Sequence, residues 1–115
     1  MPFERGQVVL VLYPDSNLKT AKRRPALVVQ TSNLQTGLAQ SIIAMITSNL
    51  SRAGHPSRWA VAKSSLEARQ MGLRTDSVIM TDNLATVRDN EIDKVIGRCA
   101  NMQAVDAALR HTLGL

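Results

Sequence analysis

The 115-residue chain is poor in aromatic side chains, which make up 3% of it: Phe3, Tyr13 and Trp59. It has one cysteine, Cys99, so no disulfide can form within the chain, and a reducing cytoplasm is the simplest compartment. Its longest apolar stretches are far too short to cross a bilayer, and its start has no apolar segment of the secretory kind. We therefore expect a cytoplasmic protein that does not enter the membrane and has an aliphatic core.

Motifs for the common metals and cofactors are also missing. His55 and His111 lie far apart in the sequence, and neither has a cysteine or carboxylate at ligand spacing. Cys99 has no CxxC partner, and none of the six glycines belongs to a GxGxxG, Walker or Gly-x-Ser-x-Gly pattern. These absences argue against metal-dependent, nucleotide-dependent and serine-hydrolase chemistry, and we expect neither a cofactor nor a metal site.

The chain does have a globular composition, with 44% apolar and 20% charged residues, and its length suits one domain over 1–115. Fourteen basic and nine acidic side chains give a net charge of +5. Residues 1–75 carry ten basic and three acidic side chains, whereas residues 76–115 carry four and six. A basic face on the first two-thirds of the fold would attract polyanions, although charge alone does not identify nucleic acid as the partner.

Short apolar runs predict five or six strands. The expected strands are residues 8–12, 26–30 (which Pro25 can begin), 41–47, 58–63, 77–81 and a further short one at 85–87. Polar segments predict loops at 14–23, 31–40 and 48–57, and a short connection passes through Gly72 and Leu73.

The hydrophobic period changes near the C-terminus. Apolar residues from Met102 to Leu113 recur at helical spacing, Asn101 is suited to cap the helix, and Gly114 lies beyond its end. Residues 91–96 predict a shorter helical turn. The sequence therefore predicts a mainly β fold with a C-terminal α-helix, in which the strands form a small barrel or a bent sheet closed on itself.

Polar residues occupy the predicted strand ends. The candidates are Arg24 at the opening of the second strand, Thr47, Ser48 and Asn49 at the end of the third, and Asp82 and Asn83 after the fifth. An arginine suits bidentate contact with a phosphate and stays charged across the working pH range. Taken singly, however, these residue types also cap turns or pair on surfaces. A functional role therefore depends on whether the fold brings them close together.

An ordered set of motifs resembles the MazF/PemK family of bacterial toxins from toxin–antitoxin pairs, which act as sequence-selective endoribonucleases. The motifs are Arg5-Gly6-x-Val8-Val9-x-Val11, Lys22-Arg23-Arg24-Pro25-Ala26-Leu27-Val28-Val29, Ile46-Thr47-Ser48, Gly72-Leu73, Asp76-Ser77-Val78-Ile79 and a terminal helix with Ala108-Leu109. The resemblance covers Arg5 to Leu113. It implies an SH3-like small barrel with a C-terminal helix, working as a homodimer, with single-stranded RNA in a groove near the dimer interface. It also implies that an acidic antitoxin competes for that surface.

The resemblance also implies roles for individual residues. It makes Arg24 the principal catalytic residue and Thr47 its companion. It places Ser48 beside them in the substrate site, and Asp82 matches an Asp that the PemK branch uses at the end of the later strand. We also expect the neighbouring polar residues to bind substrate, namely Lys22, Arg23, Asn49 and Asn83. The loop histidine of the PemK branch is absent and Met80 replaces its strand arginine, which favours chemistry based on Arg24 and Thr47. The loop before Arg24 also departs from the family's acidic, glycine-containing pattern. The resemblance therefore does not imply which RNA sequence this chain recognises.

RNA can be cut without a metal when the 2′-OH attacks its own phosphorus, leaving a 2′,3′-cyclic phosphate and a 5′-OH end. Arg24 can offer two N–H groups to the developing charge, and the Thr47 hydroxyl can hold the phosphate or the 2′-OH. The general base is not identified, and Asp82 could accept a proton or contact a base. The alternatives are a non-catalytic member of the same fold, either a gyrase inhibitor of the CcdB type or a barrel that binds RNA or protein.

Overall fold

An antiparallel sheet of six strands organises the protein, in a computed structural model that describes residues 3–14 and 21–115. The strands are β1 (Gln7–Pro14), β2 (Ala21–Val28), β3 (Gln40–Thr47), β4 (Arg58–Val61), β5 (Ser77–Arg88) and β6 (Ile92–Arg98). The helices are α1 (Leu66–Met71) and α2 (Met102–Leu113), and 3-10 turns cover Leu50–Arg52 and Asp89–Glu91. The predicted mainly β fold with a C-terminal helix is confirmed.

The strand order is β4-β5-β3-β2-β1-β6. β4 and β6 are the two edges, and no ladder joins them in the described ranges, so the sheet is open rather than closed by hydrogen bonds into a barrel. The apolar run in β1 is buried on both faces of the sheet. Val8 belongs to an apolar cluster that includes residues of both helices, and Val9 belongs to a second cluster on the opposite face. The sheet therefore separates two layers of aliphatic core.

The C-terminal helix forms where the sequence predicts it. The Asn101 side chain accepts a hydrogen bond from the Ala104 N–H at 3.3 Å, and Gly114 ends α2 in the left-handed conformation. The buried residues Val105 and Ala108 pack towards the sheet. An ion pair from Arg5 to Asp106 joins α2 to the segment before β1. The helix is thereby fixed to the sheet by both apolar and charged contacts.

Two local predictions are wrong. The helical turn expected at 91–96 is largely the edge strand β6, whose pairing with β1 shifts register twice, between Val8 and Val9 and between Leu10 and Val11. These shifts interrupt the simple alternation that marks a strand in a sequence. The connection before Gly72 contains the short helix α1, capped by the Ser65 side chain.

The boundaries of β2 and β5 also differ from expectation. β2 begins at Ala21, so Arg24 lies within a strand rather than at its opening; of the predicted loop 14–23, residues 15–20 lie outside the described residues. The expected strands 77–81 and 85–87 are parts of β5, which continues past Asp82. Ala44 faces Leu84 while Met45 faces Met80, so residues 81–83 form a bulge in β5.

Glycines let α1 approach β6 closely. A Cβ on Gly97 would meet the backbone carbon of Met71 at 2.3 Å, and a Cβ on Gly72 would meet the carbonyl oxygen of Ile96 at 2.2 Å. Gly72 also has a φ of 73°, in the left-handed region that other residues rarely adopt. The chain leaves α1 in a fixed direction as a result, and this sets the position of the segment 73–76.

Candidate functional site

The register between β2 and β3 brings Arg24 and Thr47 together. The two strands pair from Ala26 with Met45 to Val28 with Ile43. Continuing this antiparallel register by two residues places Arg24 opposite Thr47, just beyond the last pair and on the same face of the sheet. The local hydrophobic pattern of each strand cannot reveal this pairing, because it depends on how the strands align.

A cavity of about 470 Å³ opens at this point. The residues that line it are Leu10, Arg23, Arg24, Pro25, Ile46, Thr47, Ser48, Gly72, Leu73, Arg74, Thr75, Ser77, Lys94 and Ile96. We call it the central cavity. Its charged lining residues within the described ranges are all cationic, namely Arg23, Arg24, Arg74 and Lys94. Such a lining favours an anionic ligand.

The two neighbouring arginines of β2 differ in their partners. Arg23 donates from Nε to the Oδ2 of Asp93 on β6 at 2.8 Å. The side chain of Arg24 is exposed and makes no hydrogen bond or ion pair with any residue that the structure describes. Its guanidinium therefore retains its N–H donors for a bound anion, whereas part of the Arg23 charge is already compensated.

The hydroxyl of Thr47 is oriented by the loop that follows β3. Its Oγ1 accepts the backbone N–H of Asn49 at 3.1 Å, which leaves its own hydrogen available to donate. The Asn49 side-chain oxygen in turn accepts the N–H of Ser51 at 3.2 Å and its hydroxyl at 2.7 Å. The turn thus holds Thr47 in place without consuming its donor.

A further cavity, of about 380 Å³, also has Thr47 in its lining, and we call it the third cavity. Its lining residues are Thr47, Asn49, Arg52, Arg58, Met80, Asp82 and Asn83. The fold therefore places the predicted site residues in two adjoining cavities, with Arg23, Arg24 and Ser48 in the central one and Asn49, Asp82 and Asn83 in the third. Lys22 is exposed on β2 and is not among the residues that line either cavity.

Asp82 has a partner that the sequence did not identify. Arg58 donates from Nε to Oδ1 of Asp82 at 3.2 Å and from Nη2 to Oδ2 at 2.7 Å. These hydrogen bonds lower the pKa of Asp82, with a smaller contribution from the charge of Arg58. Arg58 is the cross-strand partner of Met80, so β4 supplies an arginine beside the position where the strand itself has methionine. Asp82 is thereby held as a carboxylate in a fixed orientation.

Buried hydroxyl contacts hold the bulge that carries Asp82. Thr81 is fully buried, and its Oγ1 donates to the Ser57 carbonyl at 2.5 Å and lies 2.8 Å from the Thr112 hydroxyl of α2. Its backbone N–H donates to the same carbonyl at 3.0 Å. With Thr81 turned inwards, the next two residues project towards the third cavity.

A second cavity, of about 330 Å³, also adjoins the central one. Its lining residues are Ser48, Leu50, Lys63, Arg74, Thr75 and Asp76, three of which also line the central cavity. Sequence reasoning did not select Arg74 or Lys94. The one signal for Arg74 was its position directly after the Gly72-Leu73 motif, whereas nothing in the local pattern marked Lys94.

The two histidines come together in the fold despite their separation in sequence. The rings of His55 and His111 have centroids 5.9 Å apart and meet edge to face. His55 Nδ1 accepts the backbone N–H of Ser57 at 3.1 Å. In the part of the chain that the structure describes, no group of three or more histidine, cysteine or acidic residues could hold a metal ion. No helix in that part is long and apolar enough to cross a membrane.

Comparison with known sequences gives a match to a family model described as PemK-like, MazF-like toxin of type II toxin–antitoxin system, over residues 4–113. The chain is similar to endoribonuclease MazF2 of Mycobacterium bovis and endoribonuclease MazF6 of Mycobacterium tuberculosis. Each is 34% identical over 107 residues, which are 90% of this chain and 90% of the relative.

Solved structures share the fold. An endoribonuclease in complex with its cognate antitoxin, from mycobacteria, aligns with a TM-score of 0.73 at 24% identity, over 98% of this chain and 96% of that chain. A MazE–MazF structure from Deinococcus radiodurans aligns with a TM-score of 0.72 at 18% identity, over 100% and 99% of the two chains. The family model covers nearly the whole chain, and the similar sequences are of the same length class. This protein therefore belongs to the PemK-like, MazF-like toxins of type II toxin–antitoxin systems.

Proposed function

We propose that this protein is a toxin endoribonuclease that cuts single-stranded RNA without a metal ion, through attack of a ribose 2′-OH on the adjacent phosphorus. The products would be a 2′,3′-cyclic phosphate and a 5′-OH end. The observation that supports this most directly is the central cavity, which Arg24 and Thr47 both line and whose described charged lining is cationic. The names of the related mycobacterial endoribonucleases support the same reaction class.

In this mechanism Arg24 binds the phosphate that is cut. Its guanidinium has no partner in the described ranges, so two of its N–H groups can contact the non-bridging oxygens at once. Negative charge grows on those oxygens as the 2′-oxygen adds to phosphorus, and a fixed cation stabilises that state more than the ground state. Arg24 is therefore the residue on which the rate depends most.

Thr47 positions the reacting groups. Because its Oγ1 already accepts the Asn49 N–H at 3.1 Å, its hydrogen can be donated to a phosphate oxygen or to the 2′-oxygen. Alignment of the 2′-oxygen, phosphorus and leaving 5′-oxygen contributes to catalysis by itself. Ser48 adds a second hydroxyl to the cavity wall. The requirement for a 2′-OH makes the reaction specific for RNA.

Asp82 acts in substrate binding rather than as the general base. Its hydrogen bonds to Arg58 lower its pKa, and a carboxylate with a lowered pKa is a poor acceptor for a hydroxyl proton near neutral pH. The third cavity has the amides of Asn49 and Asn83 beside this ion pair, and such groups hydrogen-bond to base edges. We assign this cavity to a base next to the cut.

We further propose that the toxin acts as a homodimer and is neutralised by an acidic antitoxin. The chain belongs to a toxin–antitoxin family, and one structure with the same fold is a complex with a cognate antitoxin. The cationic central cavity would attract an acidic polypeptide as well as RNA. Sedimentation analysis of the protein alone, and with the product of an adjacent reading frame, tests both partners.

The test of the activity is cleavage of long single-stranded RNA in EDTA, with mapping of the fragment ends. We expect defined cuts with cyclic phosphate ends, and a rate for Arg24→Ala about 10²–10³-fold lower. Arg69→Ala is the matched control, because Arg69 is exposed on α1 and does not line the three cavities. Uncut RNA of varied sequence, a requirement for a metal, or equal rates for the two variants would contradict the proposal. Inhibition of DNA supercoiling without RNA cleavage would instead support the gyrase alternative.

A further inference from the structure

The central cavity adjoins both of the other cavities. The central cavity shares Thr47 with the third cavity, and it shares Ser48, Arg74 and Thr75 with the second. A single strand of RNA that places its reacting phosphate at Arg24 can therefore extend into an adjoining cavity.

The second cavity has the groups that bind a phosphodiester. It carries two cationic side chains, Lys63 and Arg74, and two hydroxyl side chains, Ser48 and Thr75. Arg74 is exposed and has no hydrogen bond or ion pair with the residues at 3–14 and 21–115. Asp76 is the acidic residue of the described lining, and its Oδ1 accepts the backbone N–H of Lys63 at 2.9 Å.

The backbone that carries Arg74 is anchored on both sides. The Leu73 N–H donates to the Ala68 carbonyl at 2.9 Å at the end of α1, and the Leu73 side chain is buried. On the far side, the contact between Asp76 and Lys63 ties the segment to the residues after β4. A cation on a fixed backbone loses less conformational freedom on binding than one on a mobile loop.

From these observations, and resting on the proposed cleavage of RNA, we propose that Arg74 and Lys63 form a second phosphate site. This site binds the phosphodiester next to the one that is cut, on the Ser48 side of the central cavity. Leu50 lines the same cavity, and 51% of its surface is exposed. It supplies an apolar contact for the ribose or base of that nucleotide. Arg74 and Lys63 are thus residues that position the substrate, whereas Arg24 contacts the reacting phosphate.

Binding of a non-cleavable RNA tests the second phosphate site directly. The probe is a fluorescent single strand of mixed sequence with 2′-O-methyl ribose throughout, and its affinity is measured by anisotropy at several salt concentrations. We expect Arg74→Gln and Lys63→Gln each to weaken binding and to reduce the salt slope by about 0.7, the value for one phosphate contact to a single strand. Arg69→Gln removes the same charge away from the cavities and should change neither quantity. Thermal melting checks that all variants are folded.

Cleavage kinetics provide a second readout that a merely structural role would not produce. For Arg74→Gln, KM should rise by about the factor lost in binding, while kcat changes by less than about twofold. A fall in kcat at unchanged KM would overturn the assignment, because it would place Arg74 in the chemical step. Salt slopes equal to that of Arg69→Gln would overturn it as well.

The outcomes separate this proposal from the proposed function. The binding experiment needs no cleavage, so a slope change without cutting by the wild type would refute the activity and keep the phosphate site. If the wild type cuts RNA and the salt slopes of Arg74→Gln and Lys63→Gln are unchanged, the activity is supported and the second phosphate site is refuted. An acidic peptide, polyglutamate, serves as the competing probe. Variants that weaken polyglutamate binding and leave RNA binding intact would overturn the RNA assignment of this site.

Discussion

Two adjacent arginines on β2 differ in how many of their N–H donors are available to a ligand, because only one of them is paired with a carboxylate. Arg23 is paired with Asp93 at 2.8 Å, and its side chain remains 63% exposed. Arg24 has no partner within the described residues and lies opposite Thr47 in the extended register. A guanidinium that another carboxylate already holds binds a phosphate less strongly than one whose donors are available.

We therefore expect Arg24→Lys to slow cleavage by at least about tenfold, because an ammonium keeps the charge but loses the planar pair of donors. Arg23→Lys should change the rate by less than about threefold, since Arg23 contributes mainly to the field of the cavity. Single-turnover cleavage of one RNA by both variants measures the difference. Equal losses at the two positions would contradict the different roles assigned to them, and no loss at either would show that charge alone matters in the central cavity.

The pair formed by Asp82 and Arg58 leads to a prediction about pH. Hydrogen bonds from Arg58 lower the pKa of Asp82 in the folded protein. The ion pair therefore stabilises the fold above the pKa that Asp82 has when unfolded, and this contribution is lost as the pH falls through the lowered value. Asp82→Asn should make stability depend less on pH in the acidic range, as measured by denaturant unfolding at pH 3 to 7.

The same pair also predicts the shape of the rate profile. Because its pKa is lowered, Asp82 stays ionised throughout the neutral range. Asp82→Asn should change the affinity for RNA but leave the pH dependence of kcat between pH 6 and 9 unaltered. Loss of an ionisation from that profile would identify Asp82 as a proton acceptor and contradict its assignment to substrate binding.

At the scale of elements, the close approach of α1 and β6 determines where the segment 73–76 lies. Gly72 and Gly114 both end helices with left-handed φ, at 73° and 72°. A Cβ on Gly72 would meet the Ile96 carbonyl oxygen at 2.2 Å, whereas a Cβ on Gly114 would meet no described atom within 4 Å. An alanine substitution at each position therefore distinguishes the cost of backbone strain alone from the cost of strain together with a steric clash.

We expect Gly114→Ala to lower the free energy of unfolding by about 1 kcal/mol, from conformational strain alone. Gly72→Ala should cost about 2–4 kcal/mol, because the added methyl group must also displace β6 or α1. Denaturant unfolding of both variants measures the difference. Equal costs would mean that the contact with Ile96 relaxes freely.

The bulge in β5 gives a further prediction for an element. Thr81→Val keeps the shape of the buried side chain but removes the hydroxyl that contacts the Ser57 carbonyl and Thr112. A loss of about 1–3 kcal/mol in the free energy of unfolding is expected. Thr86→Val, at an exposed site on the same strand, is the control and should cost little. Weaker RNA binding by Thr81→Val than by the control would connect the bulge to the third cavity.

The sequence predicted the elements whose pattern is regular and local. β1 and β3 are marked by continuous apolar runs, and α2 is marked by helical spacing between Asn101 and Gly114. β6 was not recognised, because its two register shifts against β1 disturb the alternation. α1 has six residues, too few for a periodic signal to stand out.

The sequence could suggest only some residues of the candidate site, because the others are brought there by contacts between distant segments. Arg24 and Thr47 belong to recognisable motifs, and their convergence follows from a register that the pattern of one strand does not encode. Arg58 reaches Asp82 from β4, 24 residues away in sequence. Arg74 reaches the central cavity through the path that the chain takes after α1. Contacts between distant segments depend on the whole arrangement of the sheet.

For the whole molecule, the uneven charge has a kinetic consequence. The chain has a net charge of +5, and the described charged residues of the central cavity are all cationic. Long-range attraction accelerates the encounter with RNA and is screened by salt, whereas the chemical step occurs at short distance. We expect kcat/KM to fall steeply with ionic strength and kcat to change little. Parallel decreases of both quantities would show that salt disrupts the site itself.

The single thiol offers a way to time the opening of the molecule. Cys99 is buried between β6 and α2, its backbone N–H donates to the Gly6 carbonyl at 2.7 Å, and burial raises the pKa of its thiol. Alkylating and disulfide reagents react with the thiolate, so a native molecule is protected from them both by exclusion and by its low thiolate fraction. With no second cysteine in the chain, the labelling rate of Cys99 measures how often the apolar cluster formed by the sheet and both helices opens around it.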